Sequence, residues 1–265
     1  MGKVLAICNR KGGCGKSTSV VNLGASLAKQ GKKVLVVDGD SQHSLTISLG
    51  VKEPDKLQSS LATIIADIVG DREYDWTASV INHTEGITLL PSNNSLAGIE
   101  IVLAPLMGRE TVMRQLLEVV SPHFDFVLLD TPPTLDLLTI NALAAAHSVI
   151  IPVAPKFLDA KGLELLLKSI VQVRKHINPT LDIAGILLTM VDSRTKFTKE
   201  IIGVIEEAYG QQIRIFKSQI PHSVRAVESS ATGKSIFEHD PNGRVALAYA
   251  ALTQELLAEG VLANG

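Results

Sequence analysis

Ten consecutive residues, Asn9-Arg10-Lys11-Gly12-Gly13-Cys14-Gly15-Lys16-Ser17-Thr18, place glycines, lysines and hydroxyls in an order suited to phosphate chemistry. Glycines let backbone N–H groups converge on the β- and γ-phosphates of a nucleoside triphosphate. A following helix adds the positive end of its dipole, Lys16 supplies a cation, and the Ser17 hydroxyl can ligate Mg²⁺. Together these groups neutralise charge that phosphoryl transfer spreads over the γ-oxygens. A hydrophobic run before the segment and an amphipathic helix after it separate this loop from a glycine turn that merely permits close packing. A second Gly-Lys-Ser, at Gly233-Lys234-Ser235, follows no strand and lacks the further glycine, so it reads as a surface turn.

Carboxylates stand where metal and water would need them. The run Val36-Val37-Asp38-Gly39-Asp40-Ser41-Gln42 ends a strand in two acids that alternation points the same way. One can hold Mg²⁺ through water while the other orients or polarises the attacking water. The run 124–130 is a second buried strand; it ends at Asp130 and turns at Thr131-Pro132-Pro133. Asp130 is then either a carboxylate beside Mg²⁺ or a cap for the next helix. The seven histidines are scattered with none three or four residues from another, so His-based metal spacing is absent.

These residues need a scaffold. Of the 265 residues 46% are apolar and only 4% aromatic, a composition suited to buried parallel strands of Val, Ile, Leu and Ala covered by helices. Short apolar runs at 4–8, 33–38, 87–90, 124–130, 148–153 and 183–189 alternate with helical periodicity, the pattern of repeated βαβ units. Val20, Leu23, Gly24, Leu27 and Ala28 give the first helix its apolar stripe, and Gly31 stops it. Further helices are expected at about 60–69, 95–119, 135–146, 161–176, 198–208 and 245–258; 71–86 and 190–244 are the least regular stretches. The fold expected is a single α/β domain spanning 1–265, a mostly parallel twisted sheet with helices on both faces. A net charge of −2 argues against a wholly basic nucleic-acid-binding surface but leaves room for a basic face. Residues 190–235 carry seven Lys/Arg against five acids. Cys8 and Cys14 fit a reducing compartment, and no apolar run approaches the roughly 18 residues of a membrane span, so a cytoplasmic protein is expected.

Lys11-Gly12-Gly13-Cys14-Gly15-Lys16-Ser17, with Arg10 where the common phosphate loop has its first glycine, resembles the deviant Walker A motif of the ParA/MinD group. Asp38-Gly39-Asp40 resembles that group's first switch, although Ser41 stands where a proline is usual, and 124–133 resembles its Walker B and second switch. Leu138 to Leu143, Thr189 to Arg194 and Ile220 to Arg225 extend the similarity to the ParA/Soj family over nearly the whole chain. The resemblance implies a Mg²⁺-dependent ATPase that forms a homodimer around ATP. Lys11 would cross to the partner's phosphates, with Lys16, Gly12, Gly13, Cys14, Gly15 and Thr18 around the nucleotide, and Ser17, Asp38 and Asp130 at the metal. Asp40 would serve hydrolysis, Met190 and Pro221 would flank the adenine, and Arg194 and Arg225 would form a surface for non-specific double-stranded DNA. His222 and Ser223 replace the family's usual Arg-Asn. The implied role is to position a plasmid, a chromosome origin or an organelle such as a carboxysome on the nucleoid, with a ParB-like or other adaptor stimulating turnover. No helix-turn-helix precedes the first strand, which argues against operator binding. A MinD-like membrane switch is disfavoured because no Lys or Arg follows Arg244. An iron-protein-like reductase lacks cysteines for a cluster. The remaining competitor is an ATP-dependent amidoligase of the cobyrinate or dethiobiotin type, for which no second catalytic constellation is visible.

Overall fold

The computed structural model describes residues 2–258, with the side chains at 157–161 outside the description. In chain order the elements are β1 (Lys3–Ile7), α1 (Lys16–Lys29), β2 (Val34–Asp38), α2 (Ser44–Ser48), α3 (Leu61–Val69), β3 (Ile81–Asn82), β4 (Ile87–Leu90), α4 (Leu96–Leu103), α5 (Val112–Val120), β5 (Phe126–Asp130), α6 (Leu137–Ala145), β6 (Ser148–Val153), α7 (Phe157–His176), β7 (Asp182–Leu188), α8 (Lys196–Tyr209), α9 (Val224–Ala231), α10 (Ile236–His239) and α11 (Arg244–Ala258). The strands form one sheet in the order β3-β4-β2-β5-β1-β6-β7. Only β3 pairs antiparallel.

Both sheet faces are covered, which is why the central strands read as unbroken apolar runs rather than alternating ones. Val4, Ala6, Leu35, Val37, Val127 and Leu129 point into one core with α3, α5, α6 and α7. Leu5, Ile7, Val34, Val36 and Leu128 point into the other, with α1 and α11. Each Val, Leu or Ile among them contributes on the order of 1.5–3 kcal/mol on burial. From the central β1 the chain first builds towards β2 and β4, then returns through β5 and crosses to β6 and β7. The loops at the carboxyl ends of β1, β2 and β5 therefore surround a crevice at the topological switch point.

Two expectations need correction. The helix expected over 95–119 is two helices, because Pro105 removes a backbone donor and Gly108 turns the chain with a φ of 71°. The stretch 190–244, expected to be among the least regular apart from a helix at about 198–208, holds α9 and α10 in addition to α8, which matches that helix. Thr195, Ser223 and Ser235 cap them by accepting the N–H groups of Thr198, Arg225 and Phe237. Gly233-Lys234-Ser235 is a turn, as expected, yet Ser235 is buried and hydrogen-bonded to Glu85. No described helix is long and apolar enough to cross a membrane.

Candidate nucleotide site

β1 delivers the chain to the phosphate loop and α1 takes it away. Gly13 and Gly15 have φ values of 69° and 84°, left-handed conformations that a side chain would strain. Gly15 stands immediately before the first helical residue, Lys16. Buried bonds hold the loop from three sides. Asn9 donates Nδ2–H to the Pro152 carbonyl (2.5 Å) and accepts the Lys11 N–H at Oδ1 (3.0 Å). Thr189 donates Oγ1–H to the Cys14 carbonyl (2.8 Å). Lys16 is only 7% exposed, and its Nζ donates to the Lys11 carbonyl (3.1 Å). Lys11 itself faces solvent. Cys14 donates its thiol to the same carbonyl, and burial pushes the Cys8 thiol up to about 11, so Cys8 is a core residue rather than a nucleophile.

The three carboxylates gather beside this loop but in different settings. Asp38 and Asp130 are register partners at the ends of β2 and β5 and are both fully buried. Asp38 accepts the Thr46 N–H (2.8 Å) and Oγ1–H (2.6 Å) at one oxygen and the Asp40 N–H (3.2 Å) at the other. Neither oxygen of Asp130 accepts a hydrogen bond of ordinary geometry. Burial first, and for Asp130 the neighbouring Asp38 charge next, raise both carboxyls above their usual range; the nearby Ser17 hydroxyl and Lys16 ammonium partly oppose this at Asp130. Asp40, 9% exposed, accepts the Gln42 N–H (2.9 Å) and lines the open cleft over the loop. Gly39 lets the ends of β2 and β5 meet, since a Cβ there would lie 2.6 Å from the Asp130 carbonyl oxygen.

A cleft of ≈ 440 Å³ runs over Gly12, Gly13, Lys16, Ser17 and Asp40. A second, of ≈ 220 Å³, is lined by Met190, Pro221, His222 and Tyr249. Gly15, Thr18 and Met190 belong to both. The two thus form one elongated site, with a polar end for phosphates and an apolar end sized for a base. Met190 takes a φ of 52° there, and Val191 and Pro221 form a parallel bridge. Sequence reasoning missed Asn9, Thr46, Thr189 and Tyr249. Their one available signal was position, since polar groups flanking glycine loops and strand ends must bond to something when buried.

The basic residues are brought near the base end but not into it. Arg194 chelates Asp192 through Nε (2.8 Å) and Nη2 (2.9 Å), holding that carboxyl down to about 2. Arg225 pairs with Glu228 at 3.0 Å. Both pairs are solvent-exposed and individually weak.

Residues 2–183 match the AAA domain family. The sporulation initiation inhibitor protein Soj of Bacillus subtilis is 40% identical over 264 residues, which is 98% of this chain and 100% of that one. This chain belongs to the ParA/Soj family of P-loop partition ATPases. Another ParA/Soj relative, the chromosome partitioning protein ParA of Caulobacter vibrioides, is 32% identical over 97% of this chain and 94% of its own. A solved structure of cobyrinic acid a,c-diamide synthase from Mycobacterium smegmatis, with bound ATP analogue and magnesium, superposes with a TM-score of 0.86. It is 35% identical to this ParA/Soj chain, covering 98% of it and 95% of its own length.

Proposed function

We propose that this protein is a ParA-like positioning ATPase that dimerises around ATP, binds DNA without sequence preference, and distributes a cargo with the help of an adaptor. It hydrolyses ATP and uses Mg²⁺. The observation that carries the reading is the buried Asp130, with no hydrogen bond of ordinary geometry and Ser17 beside it, under a phosphate loop whose Lys11 faces solvent. A buried carboxylate with no hydrogen bond of ordinary geometry, its nearest donor the Ser17 hydroxyl, calls for a cation, and hard oxygens from Ser17 and the two strand-end acids suit Mg²⁺. The ion, when bound, neutralises charge developing on the transferred phosphoryl group.

In this scheme Ser17 and Asp130 hold the metal, with Asp38 set behind them by Thr46. The loop amides and Lys16 grip the phosphates of their own subunit. Lys11, pinned at its backbone by Asn9, reaches the partner's phosphates. Asp40, on the open cleft, orients the attacking water. Met190 and Pro221 flank the adenine, with Tyr249 at the floor. Arg194 and Arg225 belong to a basic surface that a dimer doubles, so that a few phosphate contacts per subunit yield non-specific affinity of about 10⁻⁴–10⁻⁶ M. Cytoplasmic residence on the nucleoid follows from that activity. Size-exclusion chromatography with ATP, with ADP and with Lys11→Ala tests the switch. An ATP-dependent dimer lost in the variant is expected, and a monomer under every condition would count against it.

The Mycobacterium smegmatis structure favours a second reading, an amidoligase acting on a small acid. That chemistry consumes ATP only when a carboxylic acid and a nitrogen donor are supplied. Turnover without either, enhanced by arbitrary duplex DNA and an adaptor, supports positioning. Turnover that demands an acid would overturn it.

A further inference from the structure

Near the base end, Arg194, His222 and Arg244 come from three separate segments and line a small cavity of ≈ 80 Å³ with Asp192 and Ser193. The backbone fixes this meeting. Val191 N–H donates to the Ile220 carbonyl (3.0 Å) and His222 N–H donates to the Val191 carbonyl (3.1 Å), so the two loops run together. Arg244 opens α11, which is anchored by the buried Val245, Tyr249 and Leu252.

The cations differ in how much charge they can offer an incoming anion. Arg194 is chelated by Asp192 and Arg225 is paired with Glu228. Arg244 is exposed and makes no hydrogen bond or ion pair with any described residue. A guanidinium with its donors uncommitted, next to an imidazole and the exposed Ser193, matches a tetrahedral oxyanion rather than a neutral or extended ligand. Asp192 opposes an anion, but its charge is spent on Arg194, which leaves the cavity wall net cationic. His222 also lines the base cleft, so the cavity and the nucleotide site share one side chain.

We propose that this cavity seats a single phosphate group, gripped by Arg244 with His222 and Ser193 completing the donor set, and that a DNA backbone phosphodiester fills it. The assignment rests on the DNA-binding reading above and makes Arg244, rather than the salt-bridged Arg225, the principal phosphate ligand.

The test measures binding of a short duplex of arbitrary sequence to the full chain with a non-hydrolysable ATP analogue, over a series of salt concentrations. Arg244→Gln is compared with Arg244→Lys and Arg225→Gln. Removing one cation–phosphate pair from each subunit of a bound dimer should lower the log–log salt slope by about 1.8, roughly 0.9 for each pair. Arg244→Gln is expected to show that decrease with weaker binding, Arg244→Lys to recover much of it, and Arg225→Gln to change less. Basal ATPase and analogue-driven dimerisation should be unchanged in Arg244→Gln. Wild-type binding with an unchanged slope in Arg244→Gln overturns the cavity while leaving the DNA reading intact. Absence of wild-type binding at any salt overturns the DNA reading itself. Calorimetric titration with inorganic phosphate separates the sources. Phosphate uptake that Arg244→Gln abolishes, with duplex binding untouched, overturns the DNA assignment in favour of a free oxyanion.

Discussion

Asn9 shows how much of a phosphate loop is held by residues that never meet phosphate. It is 1% exposed and spans the gap between β1 and β6, with its donor on Pro152 and its acceptor on Lys11. Asn9→Ala leaves a buried carbonyl and a loop N–H without partners, a loss of about 1–3 kcal/mol for each such group. Urea unfolding should show a lower midpoint, and ATP-driven dimerisation should weaken more than ATP binding if Lys11 depends on that anchor. Asp40→Ala should retain ATP and prolong the dimer while slowing hydrolysis by roughly 10²–10⁴-fold, the range for loss of a positioned proton acceptor; steady-state phosphate release checks it. Asp130 gives a pH signature. Its carboxyl is raised above 3.8 by burial, so the unfolded chain ionises more readily than the native one. Native stability without Mg²⁺ should therefore fall as pH climbs above 3.8 towards neutrality. Melting curves in chelator should show that fall, and Asp130→Asn should flatten it; an equally steep fall in the variant would place its origin elsewhere.

The elements that carry these residues are legible in the sequence to the degree that they are long and apolar. The strands β1, β2 and β5 announce themselves because both faces are buried, and α1 because its stripe ends at Gly31, whose φ is 77°. The site's glycines, lysines and terminal acids were readable for the same reason: position after a strand is part of their meaning. β3 was missed because it has two residues, too few for any periodicity, and α2 because it has five. The division of 95–119 was marked by Pro105 and Gly108, but the apolar period on either side masked it. Partners such as Thr46 and Thr189 are set by tertiary contacts that no local pattern encodes. Gly39 offers an element-level test. An added Cβ would meet the Asp130 carbonyl at 2.6 Å, so Gly39→Ala must push β2 from β5. A destabilisation of about 1–3 kcal/mol by urea unfolding, with weaker nucleotide affinity, is expected from such overpacking.

At the scale of the whole molecule, the proposed function makes the nucleotide the ligand that sets the association state, which requires that it bind monomer and dimer differently. Sedimentation should show a concentration-dependent dimer with ATP analogue and its dissolution with ADP. The sheet's margins bear on that reversibility. On one side β4 is covered by the two-residue β3, and on the other β7 is bonded along its outer edge by the segment around Ile215, through Arg214 to Ile186, Ile186 to Phe216 and Ile220 to Leu188. A fibre of copies would need a vacant backbone ladder to grow from, and both flanks present a short or already satisfied one. Under the proposed function, crowding many molecules onto one cargo would then raise their local concentration without seeding permanent stacks, and each pair would stay free to part when its fuel is consumed.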